Sequence, residues 1–302
     1  MAGAGWALRR VRRAARVTAT GGGDRIRDAF AAAAREGRAA LVPYVVAGYP
    51  DDDTSFEAAI ACIDAGADVL EVGLPYSDPL ADGATLQRAS SAALRAGATF
   101  DRSIELVRRI AESRPRVPLV PMCYANQVIG GGDGRAAAKR LAKAGAAGII
   151  VADLTPDEGA PFERVAADAG LAVVYLVAPT TPSARRKEIA ERSGGFLYCV
   201  SLVGVTGART SLPRTVARLV KDVKALAPVP VAVGFGVSRP AHVQALARAG
   251  ADGVIVASAL VDALGPDGRN VEALASLVRT LRAATRCETG ATGTSAGVGA
   301  PA

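Results

Sequence analysis

AGADGVIVAS, residues 249–258, joins the Gly-closed end of an amphipathic stretch to a short run of Val and Ile. Two earlier segments repeat it: AGADVLEVG at 65–73 and AGAAGIIVAD at 144–153. Each reads as a helix end, with Gly taking the left-handed cap, followed at once by a buried strand. Five further runs have the same apolar, β-rich character: ALVPYVVAG (40–48), VPLVPMCY (117–124), LAVVYLVAP (171–179), GFLYCVS (195–201) and VPVAVGFG (229–236). Between the runs lie helix-length segments at 53–65, 102–114, 135–144, 160–169, 183–192, 213–226 and 239–249. Alternating strands and helices require a parallel sheet, and near-continuous Val/Ile/Leu strands require cover on both faces. Eight such units in about 260 residues fit a closed α/β (β/α)8 TIM barrel better than an open doubly wound sheet. No G-x-G-x-x-G follows the first run, which argues against a dinucleotide-binding sheet.

Composition sets the limits around this core. The chain has 302 residues, half of them hydrophobic, enough for one large core. The net charge of +7 resembles a nucleic-acid signal until it is located. Arg9, Arg10, Arg12, Arg13 and Arg16 stand in the first 23 residues with no acidic partner, which leaves +2 for the remainder. The expected organisation is a disordered basic tail at 1–23, a catalytic barrel at 24–287 and a Gly/Ala/Thr/Ser tail at 288–302. The Arg-rich, acid-free tail also fits an organelle transit peptide, the alternative to a plain extension. No run of about 18 uncharged apolar residues is present, so a membrane span is not expected. The cysteines at 62, 123, 199 and 287 lack C-x-x-C spacing and read as free thiols in a reducing, cytoplasmic setting.

Barrels of this kind work at the C-terminal ends of their strands. At the end of the second run stands LEVGLPYSDPLADG, residues 70–83, which places Glu71 inside an apolar strand and Asp78 and Asp82 in the loop beyond. A buried, unpaired carboxyl is costly unless its pKa rises until it is neutral, and such a Glu can donate and accept a proton near neutrality. The competing reading turns Glu71 outward to an ion pair among the helices. Asp78 and Asp82 each have an ordinary turn role as their alternative. One desolvated and one wetter carboxylate flanking a pocket would form an acid/base pair.

Small residues mark three other strand ends: GVTG (204–207), GFGVS (234–238) and ASAL (257–260). Closely approaching backbone N–H groups and helix N-termini suit an anion, and barrels commonly hold a phosphate there. The polar stretch GARTSLP after GVTG suits a lid over the site. The single histidine, His242, falls in a helix-like segment, PAHVQALARAG, and reads as a helix-surface residue. Without it there is neither a nucleophilic triad nor a zinc set, so catalysis falls to carboxylates with a tyrosine such as Tyr198.

Taken together, these segments resemble the tryptophan synthase alpha chain family over residues 24–265. LEVGLPYSDPLADG with Thr85, Leu86 and Gln87 is the most specific part, and PMCYANQV (121–128), VADLTPDE (151–158), SLVGVTGAR (201–209) and VGFGVS (233–238) follow in order. The resemblance implies a TIM barrel with an extra N-terminal helix and a reversible retro-aldol cleavage of indole-3-glycerol phosphate to indole and glyceraldehyde 3-phosphate. It assigns Glu71 as the acid/base at the indole C3 and Asp82 as the partner of the indole N–H. Tyr44 and Met122 correspond to residues of the indole pocket, Tyr198 to a site tyrosine near the substrate, and Thr206 to a lid residue. Gly207, Gly236, Ala257 and Ser258 correspond to the phosphate cradle. The family commonly has Gly where this chain has Ala257, which puts phosphate affinity in question if that residue needs a positive φ.

The resemblance further implies an α2β2 tetramer with a beta chain that carries pyridoxal phosphate and receives the indole. Asp78, Pro79 and Asn126 correspond to the docking surface. The alpha chain itself is expected to need no cofactor and no metal. A stand-alone lyase that releases free indole is the alternative function.

Overall fold

A computed structural model describes residues 21–200, 214–234 and 236–286. The chain begins with α1 (Gly22–Arg35) and β1 (Ala40–Val46), then α2 (Asp52–Asp64) and β2 (Leu70–Gly73). Two helices, α3 (Ala84–Arg95) and α4 (Phe100–Ser113), lead to β3 (Leu119–Cys123). The short α5 (Ala125–Ile129) and α6 (Arg135–Lys143) precede β4 (Gly148–Val151), and α7 (Pro156–Asp168) precedes β5 (Ala172–Val174) and β6 (Leu176–Val177). There follow α8 (Ser183–Arg192), β7 (Leu197–Val200), α9 (Arg214–Leu226), β8 (Val231–Gly234), α10 (Pro240–Arg248), β9 (Gly253–Val256), α11 (Ser258–Ala263) and α12 (Val271–Ala283).

All ladders are parallel, in the order β5-β4-β3-β2-β1-β9-β8-β7-β6. The two ends of that order, β5 and β6, are consecutive pieces of one chain run broken at Tyr175. The barrel therefore closes on itself with eight staves, one of them interrupted. Tyr198 N–H donates to the Tyr175 carbonyl at 3.0 Å across the break. The Tyr175 side chain turns into the helix layer, where its hydroxyl meets Glu163 Oε1 at 2.5 Å.

Alternation along each strand separates two cores. Leu41, Leu70, Val72, Ile149, Val173, Leu197 and Val254 face the helices. Val42, Val69, Val120, Ile150, Val174, Phe196 and Ile255 face the barrel axis. The extra helix α1 closes the N-terminal end by adding Ile26, Phe30 and Ala33 to that axial cluster, with Phe30 stacked on Phe196 at 5.6 Å. Gly253 leaves the space Phe30 occupies, since a Cβ there would lie 2.6 Å from its ring. The helix starts at Gly22, slightly inside the boundary drawn at residue 23 from charge.

Salt bridges join the segment after α1 to the start of β2 and to α12. Arg38, 6% exposed, grips Asp68 through two 2.7 Å contacts and also pairs with Glu36, which in turn meets Arg282 of α12. Cys62, Cys123 and Cys199 are free and buried. Among the described residues no helix is long and apolar enough to cross a membrane, and no cluster of His, Cys, Asp and Glu is suited to a metal.

Candidate active site

Strand parity decides where Glu71 goes. Leu70 and Val72 pack among the helices while Val69 packs on the axis, so Glu71 points into the barrel. It is 1% exposed, and its Oε2 has no hydrogen-bond partner. The outward, ion-paired alternative is excluded. Burial, and secondarily the charge of Asp82, pushes the Glu71 pKa up to about 8.

Glu71 lines a cavity of about 480 Å³ that also takes in Tyr44, Asp82, Met122, Leu176, Tyr198, Gly236, Ala257 and Ser258. Asp82, half-buried, has its pKa raised to about 6 by burial, against a hydrogen bond from Tyr124 that lowers it. The two carboxyl groups are thus held apart in protonation: near neutrality Glu71 is mostly neutral and Asp82 mostly ionised. The phenols of Tyr44 and Tyr198 face both; burial first, and then the carboxylate charges, lift them well above the usual tyrosine range.

Both phenols sit on strand glycines. A Cβ at Gly73 would overlap the Tyr44 hydroxyl and Cζ, and one at Gly234 would lie 2.6 Å from the Tyr198 hydroxyl. Gly73 has an ordinary φ, so a substitution there acts through space alone. Gly73→Ala is expected to lower stability by about 1–3 kcal/mol through overpacking and to cut turnover at least roughly tenfold as Tyr44 is displaced. Because the ring carbon Cζ overlaps as well as the hydroxyl, adding Tyr44→Phe should not restore activity. Thermal melting and steady-state kinetics of the single and double variants check this.

At the far strand ends Gly236 has φ +76°, where glycine is required, and Ser258 opens α11. Ala257 has φ −122°. That φ is negative, so the concern that its methyl resists a positive φ has no basis here. Among the described residues no Lys, Arg or His lines the cavity, and those at this rim would hold an anion by N–H and hydroxyl dipoles. Thr206, Gly207 and the GARTSLP stretch lie outside the described residues. His242 lies in α10, where its Nδ1 accepts the Ser238 N–H at 3.3 Å, and it does not line the cavity.

Beyond the cavity mouth, Asp78 is exposed and accepts from Ser77 Oγ at 2.6 Å. Pro79 is half-buried, and Asn126 Nδ2 reaches the Tyr76 hydroxyl at 3.4 Å. Between Pro79 and Ala81, Leu80 is 92% exposed, an apolar side chain that sequence reading passed over. Leu176 and Leu86, which add apolar wall to the cavity, were likewise not singled out as pocket residues. Tyr124 is a further omission. Its only sequence signal was a place two residues past Met122, on the same strand-end face.

The sequence matches one family over most of its length. The model for the tryptophan synthase alpha chain family covers residues 30–289. The chain belongs to that family. A tryptophan synthase alpha chain from Methanothermobacter thermautotrophicus is 45% identical over 249 residues, covering 81% of this chain and 92% of the relative. That from a Roseiflexus species is 44% identical over 261 residues, 86% of this chain and 99% of the relative. Among solved structures, Mycobacterium tuberculosis tryptophan synthase superposes with a TM-score of 0.80 at 39% identity, over 87% of this chain and 98% of that one. Membership in the tryptophan synthase alpha chain family makes this chain an enzyme, a lyase of tryptophan biosynthesis.

Proposed function

We propose that this alpha chain cleaves indole-3-glycerol phosphate by a reversible retro-aldol reaction, with Glu71 and Asp82 as its working pair. The observation that carries the reading is a partnerless, buried Glu71 carboxyl sharing one cavity with Asp82 and with the small-residue rim of Gly236, Ala257 and Ser258.

Protonated Glu71 delivers its proton to the indole C3, which places positive charge on the ring nitrogen. The Asp82 carboxylate accepts the indole N–H and offsets that charge. The bond from C3 to the glycerol carbon then breaks, and its electron pair returns to the ring as indole. The hydroxyl on the departing carbon becomes the aldehyde carbonyl, and its proton goes back to Glu71, leaving the enzyme as it started. Tyr44, Met122 and Tyr198 bound the indole. The phosphate rests on the backbone of Gly207 and Gly236, on Ala257 and on Ser258, while Thr206 closes over the reacting end.

A negative φ at Ala257 makes Gly unnecessary there. Affinity for indole-3-propanol phosphate should therefore differ by less than about twofold between the native chain and Ala257→Gly. Titration calorimetry gives the answer directly.

No step needs a cofactor or a metal. The family's pyridoxal phosphate belongs to a beta chain that takes the released indole, and we place this chain with such a partner in an α2β2 assembly. Asp78, Pro79 and Asn126 form the docking surface, and the exposed Leu80 beside them supports it, since an isolated apolar tip gains by being covered. Three free, buried cysteines among the described residues support a cytoplasmic location.

The test is cleavage assayed with and without a tryptophan synthase beta chain, across pH. The value of kcat/KM should rise through about pH 6 as Asp82 ionises and fall through about pH 8 as Glu71 loses its proton. Strong activation by the beta chain supports the subunit reading. Full activity of the chain alone would instead make it a stand-alone lyase.

A further inference from the structure

One wall of the cavity stands on a very short ladder. Strand β6 is two residues long, and its Leu176 and Val177 pair with Tyr198 and Cys199 of β7. Leu176 and Tyr198 are direct partners in that register, and both line the cavity. Below them β5 pairs with β4 as far as Val174, so the stave changes neighbour at Tyr175. Two paired residues supply few hydrogen bonds, and the position of this wall needs a further support.

Tyr175 is held at each of its polar groups. Its N–H donates to Ser193 Oγ at 3.0 Å, and that hydroxyl donates onward to the Phe196 carbonyl at 2.8 Å. Its carbonyl accepts the Tyr198 N–H at 3.0 Å. Its phenol donates to Glu163 Oε1 of α7 at 2.5 Å. The same carboxylate oxygen accepts from Arg192 Nε, at the end of α8, at 3.0 Å and lies 2.8 Å from Arg192 Nη2. The tyrosine is 2% exposed, and its hydroxyl occupies space that Gly159 leaves open, since a Cβ there would lie 1.9 Å from it. Bonds to a charged acceptor are stronger and more directional than neutral ones, which makes this a clamp.

We propose that Tyr175, clamped by Glu163 and Arg192, is a positioning residue for the wall formed by Leu176 and Tyr198, and so a determinant of which aromatic rings the cavity admits. The proposal rests on the reading of this cavity as the indole pocket. Alternation turns Tyr175 into the helix layer and Leu176 toward the axis, so a clamp on one residue fixes the next. The carbonyl of the same tyrosine anchors the backbone of Tyr198. The break in the stave thereby connects the outer helices to the inner wall.

Tyr175→Phe keeps the ring and removes the clamp. The probes are indole-3-glycerol phosphate and its derivatives carrying one methyl group at each benzene-ring position in turn. One methyl group in an apolar pocket commonly changes kcat/KM by roughly 10- to 200-fold, so the native chain should reject at least one derivative by about tenfold or more. Tyr175→Phe should relax that rejection by about threefold or more. Glu163→Gln still accepts from the phenol but lacks the ion pair, and should relax it less. Methyl NMR should show the Leu176 resonances displaced or broadened in both variants. Lower melting temperatures with the discrimination ratios and the Leu176 resonances unmoved would make the clamp purely structural and overturn the proposal. Equal acceptance of every derivative by the native chain would also count against it. Failure of the native chain to cleave indole-3-glycerol phosphate would instead remove the reading of the cavity, and the Leu176 resonances would still decide whether the clamp sets the wall.

Discussion

Glu71→Gln should reduce the cleavage of indole-3-glycerol phosphate by at least about a thousandfold while leaving the fold and beta-chain binding intact. General acid/base groups commonly contribute 10²- to 10⁴-fold, and here one carboxyl serves both the C3 proton and the hydroxyl proton, which places the expected loss in the upper part of that range. Glutamine keeps the shape and can hydrogen-bond, but it has no proton to give at neutral pH. The substitution should also remove a pH dependence of stability. In the unfolded chain this carboxyl titrates at its ordinary value of 4.5, and in the fold at about 8. The folded state therefore binds more protons between these values, and stability declines as pH rises through that window. The decline should amount to a few kcal/mol, since each pKa unit corresponds to about 1.4 kcal/mol. Glu71→Gln should flatten the curve and make the protein relatively more stable at alkaline pH. Denaturant melts at several pH values, together with steady-state kinetics, test both halves. Ordinary turnover in the variant would remove Glu71 from the mechanism.

Asp82→Asn should lower kcat about 10²- to 10³-fold, by a different route. An amide can still accept the indole N–H through its oxygen, so substrate binding should change less than turnover. What it cannot do is offset the positive charge that forms on the ring nitrogen after C3 is protonated. Removing one preorganised charge-stabilising contact typically costs about 3–4 kcal/mol in the transition state. A drop in kcat with KM held within a few-fold is the expected pattern. A raised KM with unchanged kcat would mean that Asp82 only binds substrate. The acid limb of the pH profile should vanish in this variant, because the group titrating near 6 is gone.

Much of this architecture was legible because the fold repeats a local signal. A Gly cap followed by a Val/Ile run recurs at residues 65–73, 144–153 and 249–258, and each marks a stave of the barrel. Helix α3 was not named because ATLQRASSAALR buries Leu86, Ala89, Ser90 and Ala93, a face of mostly small residues that leaves little apolar periodicity. The break at Tyr175 was invisible for the opposite reason. LAVVYLV is uniformly β-rich, and only the barrel's closure reveals that Tyr175 leaves the ladder. The inward turn of Glu71 follows from strand parity, yet parity alone does not say which face is the axis. That required Val69 to be seen among the axial residues. The bond from the Ala81 N–H to the Tyr124 hydroxyl could not be read at all, since it depends on bringing residue 124 against residue 81 across two strand ends. The concern over Ala257 arose from residue type and disappeared once φ was known.

The central claim is that a glutamic acid inside the barrel is protonated at neutral pH. Infrared difference spectroscopy of the native chain against Glu71→Gln, titrated across pH, measures this without any turnover. A protonated-carboxyl band that persists through neutrality and is lost near about pH 8 is the predicted result. A difference spectrum showing only carboxylate at neutral pH, with a midpoint near the ordinary glutamate value, would contradict the account.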